Sequence, residues 1–104
     1  MLFNGRNAVF GTVDAWETMV LKNIKHGRGY SRCDYYPEGC EEYPGHIKVS
    51  TETREIVEHE ESDYPGLHRR YAHYAKREIL KLRAEHDHRK EHTFSWRKDP
   101  YSDF

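Results

Sequence analysis

The residues best suited to chemistry are two cysteines, eight histidines and a run of carboxylates. Cys33, Cys40 and His46 follow one another with six and then five residues between them. Three such donors would need a fourth to complete a tetrahedral zinc site. The first gap is too wide for the short knuckle of a zinc ribbon, and no second cysteine pair accompanies it. His88 and His92 stand at i and i+4, but Arg89 follows His88, so the helical HExxH pair of a zinc protease is missing. His68 and His73, five apart, point to different sides of any helix. No metal and no cofactor are expected.

Glu55, Glu58, His59, Glu60 and Glu61, with Glu78, supply carboxylates that could hold a divalent ion for phosphoryl chemistry. None of them has nuclease-motif spacing, and a charge run is ordinarily a solvated face. Cys33 and Cys40 sit among acidic neighbours, which disfavour the thiolate a nucleophile requires. The glycine pair in Gly27–Ser31 is too short to cradle a phosphate and does not lead from a strand into a helix. The expectation is a non-enzyme, with metal-dependent hydrolysis as a subordinate alternative.

The elements that would carry these residues centre on Ser62–His86, which has the clearest helical period. Leu67, Tyr71, Ala72, Tyr74, Ala75, Ile79 and Leu82 fall within an arc of about 160°. Arg69, Arg70, Lys76, Arg77, Lys81 and Arg83 cover the other side, with His73 and Leu80 among them. This predicts a helix over about 65–86, with Ser62 or Asp63 as its cap and Pro65 in its first turn. Glu78 interrupts the apolar arc. It reads as a carboxylate hydrogen-bonded to tyrosine hydroxyls or a backbone amide, or as a cleft carboxylate with a raised pKa.

Val13, Trp16, Val20 and Ile24 follow a 3-4-4 spacing, which predicts a shorter helix over about 13–26, stopped by Gly27 and Gly29. Before it, Asn4-Gly5 marks an irregular segment or a short strand. Residues 28–45 are dense in turn formers and predict a loop, with a short strand over 29–33. His46–Glu60 predicts a β-hairpin turning at Thr51–Arg54, and Thr93–Arg97 a final strand. Residues 98–104 read as a frayed tail. The expected fold is α+β: a small antiparallel sheet, from the hairpin at about 46–60 and the strand at about 93–97, packed on both helices.

One domain accommodates 104 residues. Hydrophobic residues make up 36% and charged residues 34%, so the core must lean on fourteen aromatic side chains. No apolar run approaches the roughly 20 residues that span a bilayer, so no membrane partner is expected. The N-terminus lacks the apolar core of a signal peptide. Together these point to the cytoplasm, with both cysteines as reduced thiols.

The net charge of −1 conceals a division. Residues 31–64 carry three positive and ten negative side chains, net −7, whereas residues 65–104 carry ten positive and six negative, net +4. The simplest arrangement has the two segments facing and partly neutralising each other. The other use of such a division is recognition. Carboxylates interleaved with tyrosine can occupy a basic groove, imitating phosphates and stacked bases, and tyrosine is favoured at interface hot spots. The expected function is a small intracellular protein that binds and modulates, as an inhibitor would, a larger macromolecule through Tyr35, Tyr36, Glu38, Glu41, Glu42 and Tyr43 and the following hairpin. A phage or mobile-element protein acting on a host enzyme of nucleic acid is consistent with that pattern. The alternative is a nucleic-acid-binding module using Arg69, Arg70, Lys76 and Arg77 of the basic helix face.

Overall fold

The computed structural model of the protein describes residues 16–65 and 68–97. Five strands and one helix follow in the order β1 (Trp16–Gly27), β2 (Tyr30–Pro37), β3 (Gly45–Ser50), β4 (Ile56–Glu60), α1 (His68–Ala84) and β5 (His92–Arg97). The strands form one antiparallel sheet in the order β4-β3-β2-β1-β5. Four of them make a meander, and α1 carries the chain back across the sheet so that β5 can pair with the other side of β1.

This corrects the expected fold class: among the described residues there are five strands rather than three, and one helix rather than two. The segment read as a helix over 13–26 is strand β1 from Trp16 onward; the residues before it lie outside those described. The 3-4-4 spacing there was misleading because it selects residues from both faces of a strand. Met19 and Leu21 are fully buried under the helix, and Val20 between them faces the other way. β-branched Thr18, Val20 and Ile24 suit a pleated surface. A bulge then shifts the pleat. Lys22 opposes Asp34 and Lys25 opposes Arg32, so Asn23 and Ile24 together face Cys33, and Asn23 takes a positive φ of 55°. That extra residue returns Ile24 to the covered face.

The expected loop over 28–45 is also corrected. β2 runs through Tyr36 to Pro37, leaving only residues 38–44 as the connection to β3. Among the described residues, the expected helix over 65–86 runs over His68–Ala84. Ser62 does not cap it. Its hydroxyl donates to the Tyr43 carbonyl at 2.6 Å and accepts from the Tyr64 amide at 3.1 Å, which ties β4's exit to the 38–44 turn. The helix ends in a Schellman motif: the Asp87 amide reaches the Leu82 carbonyl, the His86 amide reaches that of Arg83, and His86 occupies the left-handed position usually given to glycine. The expected tail, 98–104, lies outside the described residues.

α1 covers one face of the sheet. Tyr71, Ala72, Ala75, Ile79, Leu80 and Leu82 meet Met19, Leu21, Ile24, Cys33, Tyr35, Ile47 and Val49 in a single core. Burial of each large aliphatic side chain contributes about 1.5–3 kcal/mol. Leu80, placed by periodicity on the polar back, is buried as well. An aromatic chain closes the β5 side: Tyr43, Tyr64, Tyr71 and Trp96 meet edge-to-face in succession, and Tyr74 stacks on Trp96 at 4.3 Å. Arg83 donates to the carbonyls of Gly27 and Tyr30 at 2.7 and 2.8 Å, fastening the β1–β2 turn to the helix.

Two glycines serve the core by lacking a side chain. Gly45 lies opposite Tyr35 in the β2–β3 register, and the tyrosine ring lies over it where a Cβ would be. Gly27 relates to Tyr30 in the same way. Because the Tyr35 ring is fully buried, it has nowhere to yield. Gly45→Ala is expected to lower stability by about 1–3 kcal/mol, as overpacking does, measured by urea denaturation. A second expectation concerns pH. Burial, with Arg83 and His88 nearby, holds the His26 pKa below 6.5. His73 is lowered likewise by burial and then by Lys76 and Arg77. Both bind protons more weakly folded than unfolded, so their contribution is intact above about pH 6.5 and declines as pH falls below it. His26→Gln should make that decline shallower in denaturation series at pH 7 and pH 5.

Candidate functional site

The six residues expected to bind a partner divide sharply. Tyr35 is core: its ring is fully buried, burial raises its pKa, its hydroxyl bonds His59 Nε2 at 2.8 Å, and it accepts from the Ser62 amide. Tyr43 is half-buried against Tyr64. Glu38 is exposed but occupied. Its amide donates to the Thr18 carbonyl, and its Oε2 accepts from the Thr18 amide at 3.2 Å and the Tyr71 hydroxyl at 2.9 Å. It anchors the turn to β1 and α1, and burial followed by this carboxylate raises the Tyr71 pKa. Tyr36, Glu41 and Glu42 remain at the surface. Lys22 lies 5.3 Å over the Tyr36 ring and pairs with Glu41 at 2.9 Å, which raises the lysine pKa and lowers the carboxyl pKa.

The Ser62–Tyr43 bond brings these residues beside the end of β4, where Glu58, His59, Glu60 and Glu61 are all exposed. β4 is an outer strand of the sheet, and Val57 on it is 56% exposed. The result is an acidic rim along the β4 edge, formed by Glu58, Glu60 and Glu61 with Glu42 on the adjoining turn, while Glu41 of that turn is held by Lys22 of β1. Lys48, at 3.7 Å from Glu58, is its neighbour on β3. Among the described residues, the ion pairs made by the acidic middle segment come from Lys22, Lys48 and His46 of the sheet. The expected neutralisation of residues 31–64 by the helix is replaced by pairing within the sheet.

The basic helix face is divided too. Arg70 is buried and pairs with Glu17 at 3.1 Å; Glu17 also accepts from Trp96 Nε1 at 2.9 Å. Arg77 is exposed, with its guanidinium 5.6 Å from the Tyr74 ring, and Lys76 is half-buried. The side chain of Arg69 lies outside the described residues. Arg77, Lys81 and Glu78 line a cleft of about 490 Å³ between α1 and β5, with Tyr74, Phe94 and Trp96. Glu78 bonds a histidine rather than a tyrosine or an amide: its Oε2 accepts from His92 Nε2 at 2.7 Å. Arg89 donates to His92 Nδ1 at 2.8 Å, which places the ring proton on Nε2.

The cysteine–histidine set does not converge. Cys33 faces the helix, and burial pushes its thiol pKa well up. His46 is on the opposite face, bonded to Asp34 at 2.9 Å. Among the described residues, no group of three His, Cys, Asp or Glu side chains is placed to hold a metal ion. No helix among them is long and apolar enough to cross a membrane.

One arrangement was not visible in the sequence. On the sheet face away from the helix, Asn23 Nδ2 donates to Asp34 Oδ2 at 2.7 Å, and His46 Nδ1 donates to Asp34 Oδ1. These three residues border an open cleft of about 500 Å³ that Lys25, Arg32 and Lys90 also line. Their separations of eleven and twelve residues match no local motif, and only the bulge turns Asn23 toward Asp34.

The divided helix face makes a distinction between folding and binding. Arg70→Ala leaves the half-buried Glu17 without its counter-charge and should cost up to about 3–5 kcal/mol. Arg77→Ala should change stability by no more than about 0.5 kcal/mol. Thermal and urea denaturation of the two variants separates them before any binding assay is interpreted. Comparisons with protein families, curated proteins and solved structures find no match to this chain.

Proposed function

We propose that this chain is a non-catalytic protein that docks onto a larger protein with a cationic surface and modulates it. The observation that carries this reading is the acidic rim. Four carboxylates, Glu42, Glu58, Glu60 and Glu61, stand exposed along the outer strand β4 and its adjoining turn, with Glu41 of the same turn paired to Lys22. Fields of one sign steer association and set orientation more than they add raw affinity. Val57, exposed near the start of β4, supplies apolar contact, and the outward N–H and C=O groups of β4 offer backbone hydrogen bonds to an incoming strand. Tyr36, under Lys22 beside the turn, adds an aromatic contact.

A surface that must hold nucleic-acid phosphates is the kind of cationic partner this rim complements. A host enzyme acting on nucleic acid, met by a phage or mobile-element protein, belongs to that class. The reading places the protein in the cytoplasm, where Cys33 and Cys40 stay as thiols; the two are unbonded.

The experiment is charge reversal at positions where folding is indifferent. Glu58→Lys with Glu60→Lys, on the exposed face of β4, should leave the melting temperature within a few degrees of the parent. The double variant should bind a captured cationic partner at least tenfold more weakly, mainly through slower association, and lose the salt dependence of the parent. Unchanged affinity and salt response in a folded double variant would refute the rim as the docking surface.

A further inference from the structure

We infer that the cleft formed by Lys25, Arg32, Lys90, Asn23, Asp34 and His46 is a binding site for the phosphate group of a small, nucleotide-sized ligand. This site lies on the sheet face opposite α1 and does not depend on the acidic rim.

The argument starts from an electrostatic arrangement the fold does not require. Lys25 and Arg32 are direct cross-strand partners on the same face. Like charges so opposed destabilise a sheet. A third cation, Lys90, is brought to them because its carbonyl accepts from the Ile24 amide at 3.1 Å, pinning the segment before β5 against the bulge. Among the described residues, no carboxylate forms an ion pair with Lys25, Arg32 or Lys90. An anion between them would turn mutual repulsion into attraction.

The second part is a polar wall held in one orientation. Asp34 is the cleft's sole lining carboxylate, and both of its oxygens are engaged, one by Asn23 and one by His46. Three lysine or arginine charges against one carboxylate leave the lining net positive. Donation from His46 Nδ1 to Asp34 fixes the ring tautomer, so Nε2 is the nitrogen left for a ligand. In its neutral form Nε2 accepts from a phosphate hydroxyl, while Arg32 offers the planar fork that suits two phosphate oxygens. Glu60 opposes His46 from β4 but does not line the cleft. A volume of about 500 Å³ exceeds what one phosphate needs and lies within the range of small-molecule sites, leaving room for a sugar or base.

Two-dimensional amide and histidine-ring NMR at low ionic strength, with calorimetry, tests this on the whole protein. Inorganic phosphate should give saturable shifts at Asn23, Arg32 and His46, and adenosine monophosphate should bind more tightly through the same residues. Potassium chloride at matched ionic strength should not shift them. Lys25→Ala with Arg32→Ala should weaken adenosine monophosphate binding by at least tenfold. This surface variant should keep the parent's amide spectrum elsewhere, which shows that it folds. Three results would overturn the inference: no saturation by phosphate or the nucleotide, equal shifts from chloride, or undiminished binding by the double variant. Binding of a single-stranded oligonucleotide without either small ligand would also overturn it, assigning the cations to a nucleic acid backbone instead.

Discussion

A β-strand sends alternate side chains to opposite faces, and among the described residues the buried face of this sheet is the one under α1. The pleat of β1 therefore decides most of the structure. Paired to β2 on one side and β5 on the other, β1 directs Met19 and Leu21 into the core. Carried on without interruption, the same alternation would have turned Ile24 to solvent. The extra residue at Asn23 corrects the phase at the cost of a left-handed backbone in a non-glycine residue. Opposite it lies Cys33, a small side chain at the point where two residues of β1 face one of β2. One local irregularity thus completes the core on the helix side and turns Asn23 toward Asp34 on the other.

Among the described residues, the charge pattern follows from having one covering helix, α1. With one face closed by α1, hydrophilic side chains spread over the other face and the edges. Lysines near the sheet centre lie over tyrosine rings, as Lys48 does over Tyr30 at 4.8 Å. Their ammonium groups lie over the ring faces, where the π-electron density attracts a cation. Carboxylates collect on β4, where charge also blunts an unpaired edge that would otherwise recruit other strands. The negative rim and the cationic cleft are therefore distinct regions of the sheet, and the helix mainly contributes anchors such as Arg70 and Arg83.

What could be read from the sequence depended on how local each determinant was. The apolar arc of Tyr71, Ala72, Ala75, Ile79 and Leu82 was legible because helix neighbours are three and four residues apart, and those side chains are buried. β1 was not legible, because a bulged strand breaks strict alternation and Val13, Trp16, Val20 and Ile24 imitate a helical stripe. Tyr35 and Glu38 looked like surface recognition residues by composition. Partners distant in sequence, Gly45 and His59 for one and Thr18 and the helical Tyr71 for the other, draw them into the fold. Leu80 was missed as core because residues beyond its own helix bury it. The Asn23–Asp34–His46 array had no local signal, since it arises from the register of three strands.

The two cysteines occupy opposite extremes of one protein. Cys33 is sealed beneath the helix beside the bulge, whereas Cys40 sits in the 38–44 turn, partly accessible. A thiol reagent applied to the native protein would therefore read two different processes. Cys40 reports the accessibility of the turn, while Cys33 reacts only when the sheet parts from α1. The chain thus contains its own clock for opening events, recorded at the position where its central strand is irregular.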